Sequence, residues 1–298
     1  MVVLTDMIKG IYNVGYSIWN YLIGIAITLF TTSPTAASGA VYTITYSLFL
    51  SISSISIPIC IIFFLLAIFK DVIGTPPEQQ LKQFLLDALK FCVVVGIVAN
   101  LWTVMGYIMQ VADGVTNALA GSTSHTLSLS TELINVITQA TTLPPAPAGD
   151  LASILQYLLD ILVFTFTVLL FFLASLATLI IIIGSGISII SSGFQRIIKP
   201  LVFLPFSSIS VAMAAGSGEA SRAATQYLKT FFGLCLSGAF MVVSVKLGVA
   251  LSNGLIVFNY ASLTIHEQII FISVQNAITP IVIAGLIKSS DSMIGRMF

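Results

Sequence analysis

From Ile161 to Gln195 the chain carries no charged residue, and the core of this run reads ILVFTFTVLLFFLASLATLIIIIGSGISII. About 20 apolar residues already cross a hydrocarbon core of roughly 30 Å, so a run of this kind belongs in a bilayer. As one helix it would reach roughly 50 Å at about 1.5 Å per residue, so it must tilt, protrude or break. The expected break is Gly184-Ser185-Gly186, because glycine costs a helix about 1 kcal/mol relative to alanine. The character then changes at once. FQRIIKPLVFLPFSSISVAMAAGSGEASR sets Arg196, Lys199 and Arg222 around two prolines and a Gly/Ser-rich stretch.

The rest of the chain agrees. Only 7% of its 298 residues are charged and 57% are hydrophobic, against about 25% charged in a soluble domain. The fold class that follows is all-α, a polytopic membrane helical bundle forming a single membrane domain over 1–298. A formal net charge of zero argues against a generally basic nucleic-acid-binding surface. Cys60, Cys92 and Cys235 lie in apolar runs at unrelated spacings and read as small buried side chains, with no disulfide frame or metal site. Leu22 to Phe30 followed by SPTAASGA loosely resembles a signal peptide and its cleavage site. With Lys9 offset by Asp6, the segment reads as retained.

Five transmembrane helices are expected, at 41–69, 91–112, 155–190, 230–252 and 268–287. The stretch 11–31 is an interfacial or a spanning helix. Tyr12, Asn13, Tyr16 and Asn20 share one helical face, opposite Val14, Ile18, Leu22, Ile25 and Leu29, which suits rings held at headgroup level. It is also long enough to span. Pro58 and Pro280 fall inside spans, where each removes a helix hydrogen bond. Asn100 stands alone within 91–112 and reads as a partner for a neighbouring helix. Residues 113–150 hold no Lys or Arg and read as an outer loop, with a short surface helix in ELINVITQATTL. Residues 196–229 read as a basic cytoplasmic loop.

Orientation follows from charge. Under this alternation Lys70, Lys82, Lys90, Arg196, Lys199, Arg222, Lys229, Lys288 and Arg296 fall on one side, leaving only Lys9 and Lys246 of the 11 Lys and Arg residues. The positive-inside rule makes that side cytoplasmic, with the C-terminus, in a multi-pass protein of the cell membrane.

Chemistry-bearing motifs are sparse. His266-Glu267 begins like HExxH, but position 270 is Ile. GSGEASR lacks the lysine of a phosphate-binding loop, and His125 and His266 read as ordinary loop side chains. The expectation is no enzyme and no cofactor. Three structural features remain as candidates. Asp160 and Lys246 are at matching depths near the outer end of two spans, and a lone charge there usually pairs. Gly184, Ser188 and Ser192 recur every four residues, a small-residue face for close helix packing. Arg196, Lys199, Arg222 and Lys229 are candidates for cytoplasmic docking or for contact with phosphate or membrane lipid.

Two features together resemble a known family. One is SPTAASGAVYTI leading into a span that ends FFLLAIFK, followed by QQLKQFLLDALKF. The other is the long apolar helix running into GFQRIIKPLVFLPFSSISVAMAAGSGEASRAATQYLKTFFGLCL. Their order is similar to the TrbL family of conjugal transfer membrane proteins, above all its Gram-positive branch, counterpart of the polytopic inner-membrane component of VirB-type type IV secretion systems. The likeness covers about residues 30 to 250 and is one of pattern. It implies a homo-oligomeric scaffold or channel that helps pass single-stranded DNA and relaxase, with transient DNA contact, beside ATPases and a coupling protein. The family offers no catalytic residues to carry over. This sequence departs from many relatives in lacking a soluble C-terminal extension. The alternative from the residues alone is a solute transporter or channel, for which only Asn100, Asp160 and Lys246 offer intramembrane polarity.

Overall fold

A computed structural model describes residues 2–35, 39–72, 76–121, 126–145, 151–254 and 263–297. It is helical throughout, with no strand among the described residues. The helices are α1 (Val2–Thr31), α2 (Gly39–Ala67), α3 (Pro77–Ala99), α4 (Leu101–Ala120) and α5 (Thr131–Ala140). They continue as α6 (Leu151–Phe203), α7 (Ser207–Ala212), α8 (Glu219–Gly254) and α9 (Ile265–Met297). Five stretches are long and apolar enough to cross a membrane: Thr5–Thr31, Gly39–Lys70, Ser153–Ala215, Glu219–Leu251 and Ile265–Ser290. The protein is therefore an all-α polytopic bundle. Its residues form two compact units, Met1–Ala26 with Thr123–Ser191 and Val243–Lys288, and Ile27–Ser122 with Ser192–Val242 and Ser289–Phe298.

In the first unit α1 and α6 run parallel, Gly15 against Leu179 and Ile182, and Leu22 against Gly186. A Cβ on Gly186 would lie 2.5 Å from Leu22 Cδ1, so only glycine allows this approach. The aromatic face of α1 points into the bundle. Tyr12 and Tyr16 are 1% and 6% exposed, while Val14 opposite is 52% exposed. Tyr12 pairs with Ser273 at 3.2 Å and Tyr16 donates to Asn276, both on α9. The rings of Tyr12 and Tyr16 therefore lie inside the bundle and not at headgroup level. Between apolar helices, hydroxyls find partners inside the bundle, and Leu22 and Leu29 of α1 are also half-buried.

The second unit is built around α2, α3 and α7. Its core joins Cys60, Val98, Met105, Leu204, Val211 and Phe231. Here the structure departs from expectation at three places. The helix expected over 91–112 breaks at Asn100, where α3 and α4 meet at 73°. The Asn100 N–H turns back to Ile97 O at 3.1 Å and its side-chain amide donates to Gly96 O at 3.1 Å, which tightens and ends the α3 turn. The segment begun as an outer loop at 113 stays helical to Ala120. The basic loop expected at 196–229 is almost wholly helix, with only Gly216, Ser217 and Gly218 between its last 3-10 turn and α8.

No break occurs at Gly184-Ser185-Gly186, and α6 is continuous over 53 residues. At about 1.5 Å per residue it is roughly 80 Å long, well beyond a bilayer core of roughly 30 Å. In the first unit, α5 lies within the segment expected as an outer loop, where Ser130 caps it by accepting from Leu133 N at 3.2 Å.

Candidate functional site

The most developed polar constellation lies in the second unit around Arg196. Position 196 falls on the face of α6 that also buries Gly193, Ile197 and Pro200, so the side chain enters protein rather than leaving it. It is 1% exposed. Nη2 donates to Asp113 Oδ1 of α4 at 2.8 Å. Nη1 donates to Thr32 O at 2.7 Å and to Leu29 O at 3.3 Å. Those carbonyls belong to the open C-terminal end of α1, where helix groups lack intrahelical partners and the dipole is negative. One guanidinium therefore caps α1 and neutralises the charge of α4. Helix α8 leaves room for it with Gly238, where a Cβ would fall 2.3 Å from Arg196 Nε and 2.8 Å from Phe30 O. Buried Cys235 lies one turn earlier on α8.

This arrangement is a clamp on four helices and has no open face toward a ligand. Arg196 is thus corrected from a docking candidate to an internal lock, for burial denies it to any partner. Its companion Asp113 is missing from the sequence-derived candidates. The available signal was position, since Asp113 lies on the buried face of α4 with Met105, Met109 and Thr116.

The other basic candidates separate. Lys199 is half-buried and engaged within the fold. Arg222 and Lys229 are exposed on α8, and their separation of seven residues, two turns, places them on one face. Two further lysines approach the loop before α8. Lys90 Nζ donates to Gly216 O at 2.5 Å, and Lys70 Nζ lies 3.2 Å from where a Cβ on Gly218 would be. Gly218 adopts φ 62°, a left-handed conformation that favours glycine. The described residues thus bring Lys70, Lys90 and Arg222 to the start of α8, a grouping that sequence order conceals.

The expected partnership of Asp160 with Lys246 does not occur among the described residues, whose ion pair is Arg196–Asp113. Asp160 is exposed and lines a groove of about 250 Å³ with Gln139, Thr142 and Thr167. Lys246 is half-buried with contacts of its own. Equal depth on two helices does not bring two side chains to one azimuth, and a carboxylate in a polar groove needs no cationic partner. His266 bonds Thr167 at 2.8 Å, so it is placed rather than free, while His125 lies outside the described residues. The small-residue face is displaced as well. A Cβ on Gly184 would meet nothing within 4 Å, and Ser188 is half-buried. The close approaches are at Gly186 to Leu22 in the first unit and Gly193 to Leu29 in the second. Ser192 is buried at 7% exposure.

No protein-family profile matches the chain, and no curated protein or solved structure is significantly similar to it.

Proposed function

We propose that this chain is a scaffold or channel component of a conjugative type IV secretion system, helping single-stranded DNA and relaxase across the cell membrane. In this reading several copies act beside ATPases and a coupling protein, and the chain itself carries out no catalytic step. The C-terminus and the loop at 216–218 lie on the cytoplasmic side, where the positive-inside rule puts the cluster of Lys and Arg residues. The observation that carries the reading is the block from Arg196 to Lys229. It holds the sequence pattern resembling the TrbL family, and it ends in an exposed basic face formed by Arg222 and Lys229. Such a face suits cytoplasmic machinery or anionic headgroups, each basic residue contributing about 1 kcal/mol near a charged surface.

A second reading, a solute transporter or channel, is favoured by one observation, the helix break at Asn100, since broken helices line binding sites in many transporters. Deleting the gene from a donor cell and measuring conjugation frequency separates the two. The conjugative reading expects transfer to collapse and to return with the wild-type gene. Arg222→Gln with Lys229→Gln should accumulate normally yet restore transfer poorly. Undiminished transfer after deletion would reject this function and favour the second.

A further inference from the structure

In the first unit an acidic side chain lines a groove with no cation beside it. Asp160 of α6 is exposed, and its carboxylate makes no hydrogen bond or ion pair among the described residues. The groove holds about 250 Å³, and its other polar lining is Gln139 of α5, Thr142 just beyond α5, and Thr167 of α6. Asp160 and Thr167 are seven residues apart, two turns along one face and about 10 Å in depth. Thr167 is 4% exposed and donates its one proton to Val163 O at 2.8 Å. Its 2.8 Å bond to His266 Nε2 is therefore accepted from the ring N–H, which turns that proton to Thr167 and not to the groove. Pro144, Val163 and Phe164 add apolar wall, and Asp160 is the only charged residue of the lining. No Lys or Arg occurs from Phe91 to Gln195, the stretch that supplies both α5 and this part of α6.

We propose that this groove binds a small primary ammonium group. Such a group carries three N–H donors and no acceptor. The groove offers it the Asp160 carboxylate, the Gln139 amide oxygen and the Thr142 hydroxyl oxygen, whose own proton goes to Thr138 O at 2.7 Å. A quaternary ammonium has no N–H and would leave these acceptors unanswered. A calcium ion takes six to eight oxygens, roughly, and favours carboxylates, but the lining holds one carboxylate. No three His, Cys, Asp or Glu side chains among the described residues gather as a metal site requires. An anion would meet only negative charge. The groove is smaller than the roughly 300–1,000 Å³ of a drug-sized site, so the ammonium sits on a short carbon stem that the apolar walls cover. Water solvates the exposed carboxylate, so the ligand replaces water instead of neutralising a buried charge, and binding is weak and reversible. Asp160 stands immediately before the uncharged run from Ile161, at the level where headgroups begin. The same ammonium is presented there by a free amine and by an aminophospholipid headgroup. The assignment does not depend on the proposed conjugative role.

The test uses the full chain in phosphatidylcholine nanodiscs and saturation-transfer NMR on the methylene protons of ethanolamine. Choline is the quaternary control, and discs without protein are the blank. Ethanolamine should be saturated several-fold more strongly than choline, and saturably. Asp160→Asn should weaken its apparent affinity about fivefold, the scale of an exposed ion pair, at an unchanged thermal midpoint. Asp160→Glu should keep most of the affinity. Gln139→Leu leaves the charge in place and should weaken binding as well. Adding phosphatidylethanolamine to the discs assigns the source. Suppression of the ethanolamine signal makes the lipid headgroup the occupant, and an unchanged signal makes it a free amine. No preference for ethanolamine over choline, or equal binding by wild type, Asp160→Asn and Gln139→Leu, overturns the proposal.

Discussion

Arg196 on α6 and Asp113 on α4 form an ion pair with 2.8 Å between Nη2 and Oδ1, their side chains 1% and 10% exposed. Two peptide carbonyls at the C-terminal end of α1, those of Leu29 and of Thr32 just beyond it, complete the shell on the other guanidinium nitrogen, while Nε and Asp113 Oδ2 find no partner among the described residues. A pair so enclosed need not be more stable than an apolar replacement, because desolvation offsets its attraction. What it does is fix which helix ends meet.

Gly238 should be the least replaceable glycine of this site. Its Cβ would overlap the guanidinium, 2.3 Å from Nε and 2.6 Å from Cζ of Arg196. Overpacking of this kind costs about 1–3 kcal/mol, so Gly238→Ala should lower the thermal midpoint of the purified protein in detergent. Gly184→Ala, with nothing within 4 Å of the added methyl, should be neutral or raise stability by up to about 1 kcal/mol through helix propensity. Equal effects would mean that helix propensity, not the guanidinium, governs position 238.

The inward direction of the α1 tyrosines has its own signature. Tyr16→Phe removes the donor to Asn276 and leaves a half-buried amide oxygen under-bonded, while Tyr12→Phe removes the hydroxyl partner of Ser273. Interhelical bonds in membranes average about 0.6 kcal/mol and reach about 1.7, so each variant should unfold measurably earlier. Tyr21→Phe, at a position 70% exposed, should not. If all three behave alike, the rings of Tyr12 and Tyr16 do not point into the bundle.

How far the sequence reveals this fold depends on the range of the interaction. Uncharged runs mark the spans because insertion depends on local hydropathy, and the α1 face of Tyr12 and Tyr16 is visible as periodicity. Which way that face points is not local, since lipid and protein interior are equally apolar. The small-residue face was legible in kind but not in register. Gly186 and Gly184 differ by two positions, about 200° around a helix, which turns a packing face to the far side. The partner of Arg196 was hidden because Asp113 lies 83 positions before it in the chain. The Asn100 break was hidden because one asparagine within an apolar run is compatible with a straight helix.

The exposed charges of α8 should matter to function and not to folding. Arg222 and Lys229 are solvent-accessible, and substitutions at such positions usually stay within about 0.5 kcal/mol. Arg222→Gln with Lys229→Gln should therefore unfold at the wild-type temperature, while under the proposed conjugative role transfer falls. A lowered melting temperature would show these residues to be structural, and any loss of transfer would then say nothing about docking.

The most direct measurement of the account is a double-mutant cycle on the buried pair, read by thermal or denaturant unfolding of the purified protein. Arg196→Met alone strands a carboxylate and Asp113→Leu alone strands a guanidinium. Each should cost about 3–5 kcal/mol, as when one partner of a buried ion pair is removed. The combined Arg196→Met and Asp113→Leu variant should cost less than the two single changes added together, because neither charge is left alone. Strict additivity, or single variants as stable as the wild type, would contradict the clamp and with it the placement of α4.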